Sequence, residues 1–156
     1  MKNLPTKILK NGLNLPLPKY ESKGAAGMDL LAAIDEKKTI LILPGNAEMI
    51  PTGIAIALPL GFEAQVRPRS GLSAKNGITI LNSPGTIDSD YRGEISVMLI
   101  NHSKVNFQIK RGMRIAQLII APIVQFNLLP TEELDDTERG EGGFGSTGIS
   151  TQYEKR

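Results

Sequence analysis

Phe62-Glu63-Ala64-Gln65-Val66-Arg67-Pro68-Arg69-Ser70 is the stretch that decides the fold. Phe62, Ala64 and Val66 fall at every second position and their neighbours are polar, so in an extended chain they share one face, which predicts a half-buried β-strand. The same alternation recurs in Val105, Phe107 and Ile109. Short apolar runs rich in β-branched residues surround these stretches: Thr39 to Leu43, Ile54 to Leu58, Ile95 to Ile100 and Ile115 to Ile120. Bounded by Gly, Pro or Asn, they suit the strands of a sandwich or barrel core. Pro44-Gly45, Asn76-Gly77, Pro84-Gly85 and Arg111-Gly112 read as turns between them. No amphipathic stretch of helical length alternates with the runs, so a βαβ nucleotide fold is not expected. The one helical exception is Ser70 to Lys75, a short helix that Asn76-Gly77 would end.

With 156 residues, 40% hydrophobic and 22% charged, the chain is sized and composed for a single globular domain. A net charge of +2 lacks the concentrated basic stripe of a non-specific nucleic-acid binder, yet leaves room for an anionic small molecule. The absence of cysteine removes disulfides, thiolate zinc sites and cysteine nucleophiles together. The polar, basic stretch from Met1 to Lys10 is no signal peptide and no apolar run approaches a membrane span, so a soluble, cytoplasmic protein without membrane contact is expected, with the nucleus left open. After Pro130 the composition changes: Glu132, Glu133, Asp135, Asp136 and Glu138 lead into a Gly-rich run from Arg139 to Gly148. A β-domain over residues 1–130 and a flexible C-terminal arm over 131–156 are therefore expected.

Four segments carry chemistry. Arg67 to Ser73 offers the donor fork of Arg69, the hydroxyl of Ser70 and the backbone N–H groups of a helix start, a set that suits a phosphate; a solvated turn with two surface arginines fits the same residues. Asn82 to Glu94 lies between two strand-like runs and holds Asp88 and Asp90, which would share a face in an extended chain and suit general-base or metal work; a solvated hairpin loop is the alternative. Tyr91 in that loop either stacks on a sugar or base or anchors the loop on the sheet. Gln117 puts an amide on an otherwise apolar strand, where it needs a partner from a neighbouring strand or a ligand. In the tail, Gly140 to Gly145 formally matches a dinucleotide-binding motif, but no strand precedes it, no helix follows it, and a Walker A reading lacks its Lys before Ser146. Arg139, Phe144, Ser146 and Thr147 instead supply a cation, a stacking ring and two hydroxyls to a segment able to close over a nucleotide.

Taken in order, Ala26 to Leu30, Arg67 to Ser73, Asn82 to Glu94, Gly112 to Leu118 and Arg139 to Gly148 resemble the five motifs of the trimeric dUTPase family, spread over nearly the whole chain. The resemblance implies an all-β fold, a β-clip or distorted jelly-roll barrel, and hydrolysis of dUTP to dUMP and pyrophosphate. It implies that Asp88 is the general base that deprotonates the water attacking the α-phosphorus. Arg69, Ser70, Gly71, Gln117, Arg139, Ser146 and Thr147 would then face the phosphates, with Gly145 beside them in the arm. Uracil would be read by Asn82 and by the backbone of Gly85, Thr86 and Ile87, with Phe144 stacked over it, while Tyr91 would lie against the deoxyribose and exclude a 2′-hydroxyl. Mg²⁺ is implied as a cofactor held by the triphosphate and waters, with Asp29 in the outer shell and no direct protein ligand. A homotrimer with three shared active sites is implied as well, the arm reaching across from another subunit. Ser73 and Arg92 depart from the family pattern beside the chemical positions, which bears on specificity. Rivals are a dCTP deaminase of the same superfamily, a non-catalytic nucleotide-binding module and a ligand-free jelly-roll subunit. Arg139 and Phe144 argue against the first, and Asp88 against the second.

Overall fold

Period-2 burial is realised in β6 (Phe62–Arg67), where Ala64 and Val66 are buried and Gln65 between them is half-buried. The computed structural model describes residues 3–143. Before β6 come β1 (Thr6–Ile8), a 3-10 turn (Lys10–Gly12), β2 (Met28–Leu31), β3 (Ile40–Ile42), β4 (Ala47–Pro51) and β5 (Ile54–Ile56). After it come α1 (Ser70–Asn76), β7 (Ile78–Ile80), β8 (Gly85–Ile87), β9 (Ser96–Asn101), β10 (Phe107–Ile109) and β11 (Arg114–Pro122). Four antiparallel sheets result, in the orders β2-β11-β6-β8, β4-β9-β7, β1-β5 and β10-β3. This is the all-β architecture that the strand pattern predicts, and it is consistent with the jelly-roll-like fold that the family resemblance implies. Leu30, Ile42, Ile50, Ile78, Ile95, Leu99, Ile109, Ile115 and Leu118 are its largest buried side chains, drawn from most of the strands. No helix among the described residues is long and apolar enough to cross a membrane.

The expected helix is present and ends where Gly77 takes φ 65°, a left-handed cap whose N–H returns to the carbonyls of Leu72 and Ser73. Two sequence expectations change. Val105 stays outside β10 and is 68% exposed, because the chain there turns on the side chains of Ser103 and Asn101 rather than pairing. Pro84-Gly85 is a turn only in its first residue, since Pro84 ends the bent segment 81–84 after β7 while buried Gly85 opens β8 and pairs with Val66. β7 and β9 are antiparallel neighbours, so residues 81–95 form the connection between them, and that connection adds β8 to the edge of the other sheet.

β11 carries a bulge that sets the faces of the sheet. Opposite β2 the register runs Arg114 to Leu31 and then Ala116 to Leu30, leaving Ile115 as the extra residue. Ile115 and Ala116 are both buried as a result, and the alternation restarts one position out of phase. Gln117 then emerges on the face away from the core while Leu118 is buried.

The chain divides into two units, Met1–Val124 and Gln125–Arg156. Described residues 125–143 contain neither strand nor helix, and their local order is a turn in which Gly140 N–H donates to the Thr137 carbonyl at 3.0 Å.

Asn101 is the buried polar group of the first unit that the fold relies on most. Its Nδ2 donates to the carbonyls of Ile42 and Val105 at 2.9 and 2.8 Å, and its Oδ1 accepts from the Ser103 N–H and hydroxyl at 2.9 and 2.8 Å. Asn101→Ala strands buried partners and is expected to cost about 2–4 kcal/mol in urea unfolding. A loss below about 1 kcal/mol would mean that water substitutes for the amide.

Candidate functional site

Cross-strand register brings three motif residues into one row. Gln117 faces Asp29 on one side and Arg67 on the other, so the three side chains project from the same face of the sheet. Asp29 is the electrostatic centre of this row. Its Oδ1 takes the Arg69 Nε at 2.8 Å, and its Oδ2 takes Arg114 NH1 at 3.4 Å. Arg114 also reaches Glu21 at 3.3 Å, and Arg69 NH1 donates to the Arg114 carbonyl at 3.2 Å. Arg69 and Arg114 thus gather against the carboxylates of Asp29 and Glu21, while Arg67, opposite Gln117, turns its guanidinium to the Gln65 side chain and adds a further positive charge to the row.

Gln117 finds its partner in the chain, with Nε2 donating to the Pro68 carbonyl at 2.9 Å, and so braces the bend into α1. Gly27 makes this possible, because a Cβ there would fall 2.7 Å from Gln117 Oε1. Ser70 and Gly71 follow directly and are exposed.

A second group of residues lies along and beyond β8. Gly85, Thr86 and Ile87 pair with Val66, Gln65 and Ala64, and the Asn82 Nδ2 folds back to within 3.4 Å of where a Gly85 Cβ would stand. Asp88 to Asp90 form a turn rather than an extended segment, so Asp88 and Asp90 do not share a strand face. Tyr91 N–H donates to the Asp88 carbonyl at 3.2 Å, and Arg92 NH1 donates to the carbonyls of Ser89 and Tyr91 at 2.7 and 2.8 Å. The Tyr91 hydroxyl donates to the Glu94 carbonyl at 3.0 Å, while the residue is 44% exposed. Asp88 is exposed, and its carboxylate has no hydrogen-bond or ion-pair partner among the described residues.

β8 runs antiparallel to β6, so Asp88 lies about 10 Å along the strand from Gly85, away from the arginine row. The motif residues of one chain therefore fall into two separate groups. Arg139 sits in the second unit, its Nε donating to the Gly142 carbonyl at 2.7 Å. Phe144, Gly145, Ser146 and Thr147 lie outside the described residues. Arg114, Gly27, Gly93 and Glu94 escaped sequence reasoning although each stands inside or beside a quoted motif. Only the spatial pairing of Arg114 with Asp29 and the close approach at the glycines give them a role.

A family model described as dUTPase matches residues 14–148. The chain belongs to the dUTPase family. It is 60% identical over 141 residues to a deoxyuridine 5'-triphosphate nucleotidohydrolase of Rhizobium johnstonii, covering 90% of each chain. Among solved structures it resembles a mutant dUTPase of Staphylococcus bacteriophage 80alpha with dUpNHpp, with TM-score 0.83 and 29% identity over 96% of this chain and 100% of that one. It also resembles a mutant dUTPase from phage phi11 of S. aureus, described with a structural Mg(II) ion, with TM-score 0.76 and 25% identity over 86% of this chain and 100% of that one. The chain is accordingly an enzyme, a nucleoside triphosphate hydrolase whose substrate is dUTP.

Gly93 offers a test of the loop geometry, because a Cβ there would fall 2.3 Å from the Tyr91 hydroxyl and 2.5 Å from its Cζ. Gly93→Ala must swing the ring aside. With a misplacement of about 1 Å costing about 10²-fold, dUTP turnover should fall by that order in a steady-state pyrophosphate assay, with the melting temperature nearly unchanged. Retained turnover would show that the ring position is immaterial.

Proposed function

We propose that Asp88 orients and deprotonates the water that attacks the α-phosphorus of dUTP, releasing dUMP and pyrophosphate. The observation that carries this reading is the contrast between two carboxylates. Asp29 is committed to Arg69 and Arg114, whereas Asp88 is exposed, held by a braced turn and unpaired among the described residues. The oxygens of Asp29 are taken up by two guanidinium groups, whereas those of Asp88 are open to accept a hydrogen bond from a water, the first geometric requirement of a base.

Around that base the remaining roles follow from position. Arg69, Ser70, Gly71 and Gln117 face the phosphates, joined by Arg139, Gly145, Ser146 and Thr147 from the arm, residues 131–156. Asn82 and the β8 backbone at Gly85, Thr86 and Ile87 read uracil, because a base with the wrong exocyclic group leaves a polar atom unpaired there. Tyr91 lies against the deoxyribose and rejects a 2′-hydroxyl by shape, and Phe144 stacks over the base.

The donor set suits a magnesium ion that arrives with the triphosphate. Asp29 already serves two arginines, which supports an outer-shell role rather than direct ligation. When bound, Mg²⁺ would neutralise phosphate charge. The structural Mg(II) ion described for the phage phi11 relative supports a link to magnesium.

The separation of Asp88 from the arginine row supports a homotrimer in which each site draws on more than one copy. Located in the cytoplasm, the enzyme would limit uracil incorporation into DNA and supply dUMP for dTMP synthesis.

Asp88→Asn should lower kcat by ~10²–10⁴-fold while dUpNHpp still binds; wild-type turnover would remove Asp88 as the base. A complementation assay tests the sharing. Asp88→Asn and Arg69→Ala chains, each nearly inactive alone, should regain turnover when unfolded together and refolded as a mixture. If the mixture stays as inactive as its parts, each site belongs to one chain.

A further inference from the structure

We propose that Glu94 is a positioning residue that holds the Tyr91 ring in place. Glu94 is bonded at both ends. Its backbone carbonyl accepts the Tyr91 hydroxyl at 3.0 Å, and its side-chain Oε1 accepts Asn11 Nδ2 and the Gly53 N–H, each at 2.7 Å. A charged acceptor shared by two donors is a strong, short contact, and this one lies in a half-buried position.

The donors themselves are fixed. Arg111 NH1 donates to the carbonyls of Asn11 and Ile34, each at 2.8 Å, and Arg111 NH2 donates to the Leu13 carbonyl at 2.6 Å. Leu9 N–H donates to the Gly53 carbonyl at 2.8 Å, and Gly12 packs so tightly on Gly53 that a Cβ at Gly12 would fall 2.2 Å from the Gly53 carbonyl oxygen. Beyond Glu94 the chain enters the core at Ile95, which is fully buried. On its other side, residues 88 to 92 place only Ser89 at intermediate exposure and contribute no side chain to the core. Glu94 is therefore where an exposed loop meets a rigid wall made by the N-terminal segment and the turn after β4.

Truncating the carboxylate leaves the Gly53 N–H and Asn11 Nδ2 without their acceptor; the Glu94–Ile95 peptide then keeps only the Ile95 N–H bond to the Ile54 carbonyl at 2.9 Å, about which the Glu94 carbonyl can tilt and carry the Tyr91 hydroxyl with it. The functional consequence rests on the reading that Tyr91 lies against the deoxyribose: a displaced ring weakens discrimination between dUTP and UTP.

The test uses the full chain labelled with 3-fluorotyrosine, the Tyr91 ¹⁹F resonance being assigned with Tyr91→Phe. Glu94→Ala should shift or broaden that resonance and leave the Tyr20 signal in place, while Glu94→Gln, which keeps an oxygen acceptor, stays close to wild type. In parallel, the ratio of kcat/KM for dUTP over UTP should fall about tenfold in Glu94→Ala and largely recover in Glu94→Gln. Should Glu94→Ala fail to fold, Asn11→Ala removes one of the two donors and should show the same changes at smaller size. An unmoved Tyr91 resonance in whichever of these variants folds, with only the melting temperature lowered, overturns the proposal. If the resonance moves but Tyr91→Ala keeps the wild-type dUTP to UTP ratio, the sugar-binding reading of Tyr91 fails while its positioning by Glu94 stands.

Discussion

The extra residue at Ile115 decides which side of the β2-β11-β6-β8 sheet carries polar chemistry. With an unbroken period of two, burying Ile115 would also bury Gln117 and push Leu118 to the surface. An amide in the core without partners costs about 1–3 kcal/mol, and exposing a leucine forfeits a similar amount. The bulge removes that conflict by burying Ile115, Ala116 and Leu118 together, and Gln117 then stands between Asp29 and Arg67. Arg69 and Arg114 reach Asp29 only because β2, β11 and β6 are held side by side in this register. The cationic row is thus a product of sheet register, not of any one loop.

Away from the sheet, polar side chains do the fastening that apolar ones do in the core. Asn101 ties β9 to β3, Arg111 ties the turn before β11 to the N-terminal segment, and Glu94 ties the Asp88 loop to that same segment. Each reaches backbone carbonyls or N–H groups across many residues of sequence. Loops rich in Gly, Pro, Ser and Asp have little apolar surface to bury, so directional hydrogen bonds are the means left to hold them. No buried side-chain polar atom among the described residues is left without a partner, which is what a fold fastened this way requires.

Much of this was legible in the sequence, for reasons that differ by element. β6 and β11 announce themselves because alternation and β-branched runs are local properties, and α1 does so because Asn76-Gly77 supplies a left-handed stop. β2 and β8 are three or four residues long beside glycine-containing loops and take their strand character from a neighbour, whereas β7 is β-branched throughout and alternates in burial but over only three residues. Val105 continues the alternation yet stays unpaired, since the Asn101 and Ser103 side chains compete for the backbone there. Among site residues, Asp29 gains its electrostatic role only from two arginines distant in sequence, and nothing local marks Glu94 as an anchor. Such roles depend on contacts made 40 or more positions away along the chain.

The antiparallel ladder also bears on how the proposed base meets the phosphate-side residues. Walking from Gly85 to Asp88 along β8 moves against the direction of β6, so each residue gained toward Asp88 is a step away from Arg67 and Arg69. Bringing Asp88 to Arg69 within one chain would require unpairing β8, at about 1 kcal/mol for each hydrogen bond lost and with Gly85 drawn out of its buried position. Association of copies needs no such rupture. It can set the Asp88 turn of one protomer against the Asp29 and Arg69 row of its partner with every strand still paired. On the proposed shared site, a closed ring would repeat that contact identically at each position.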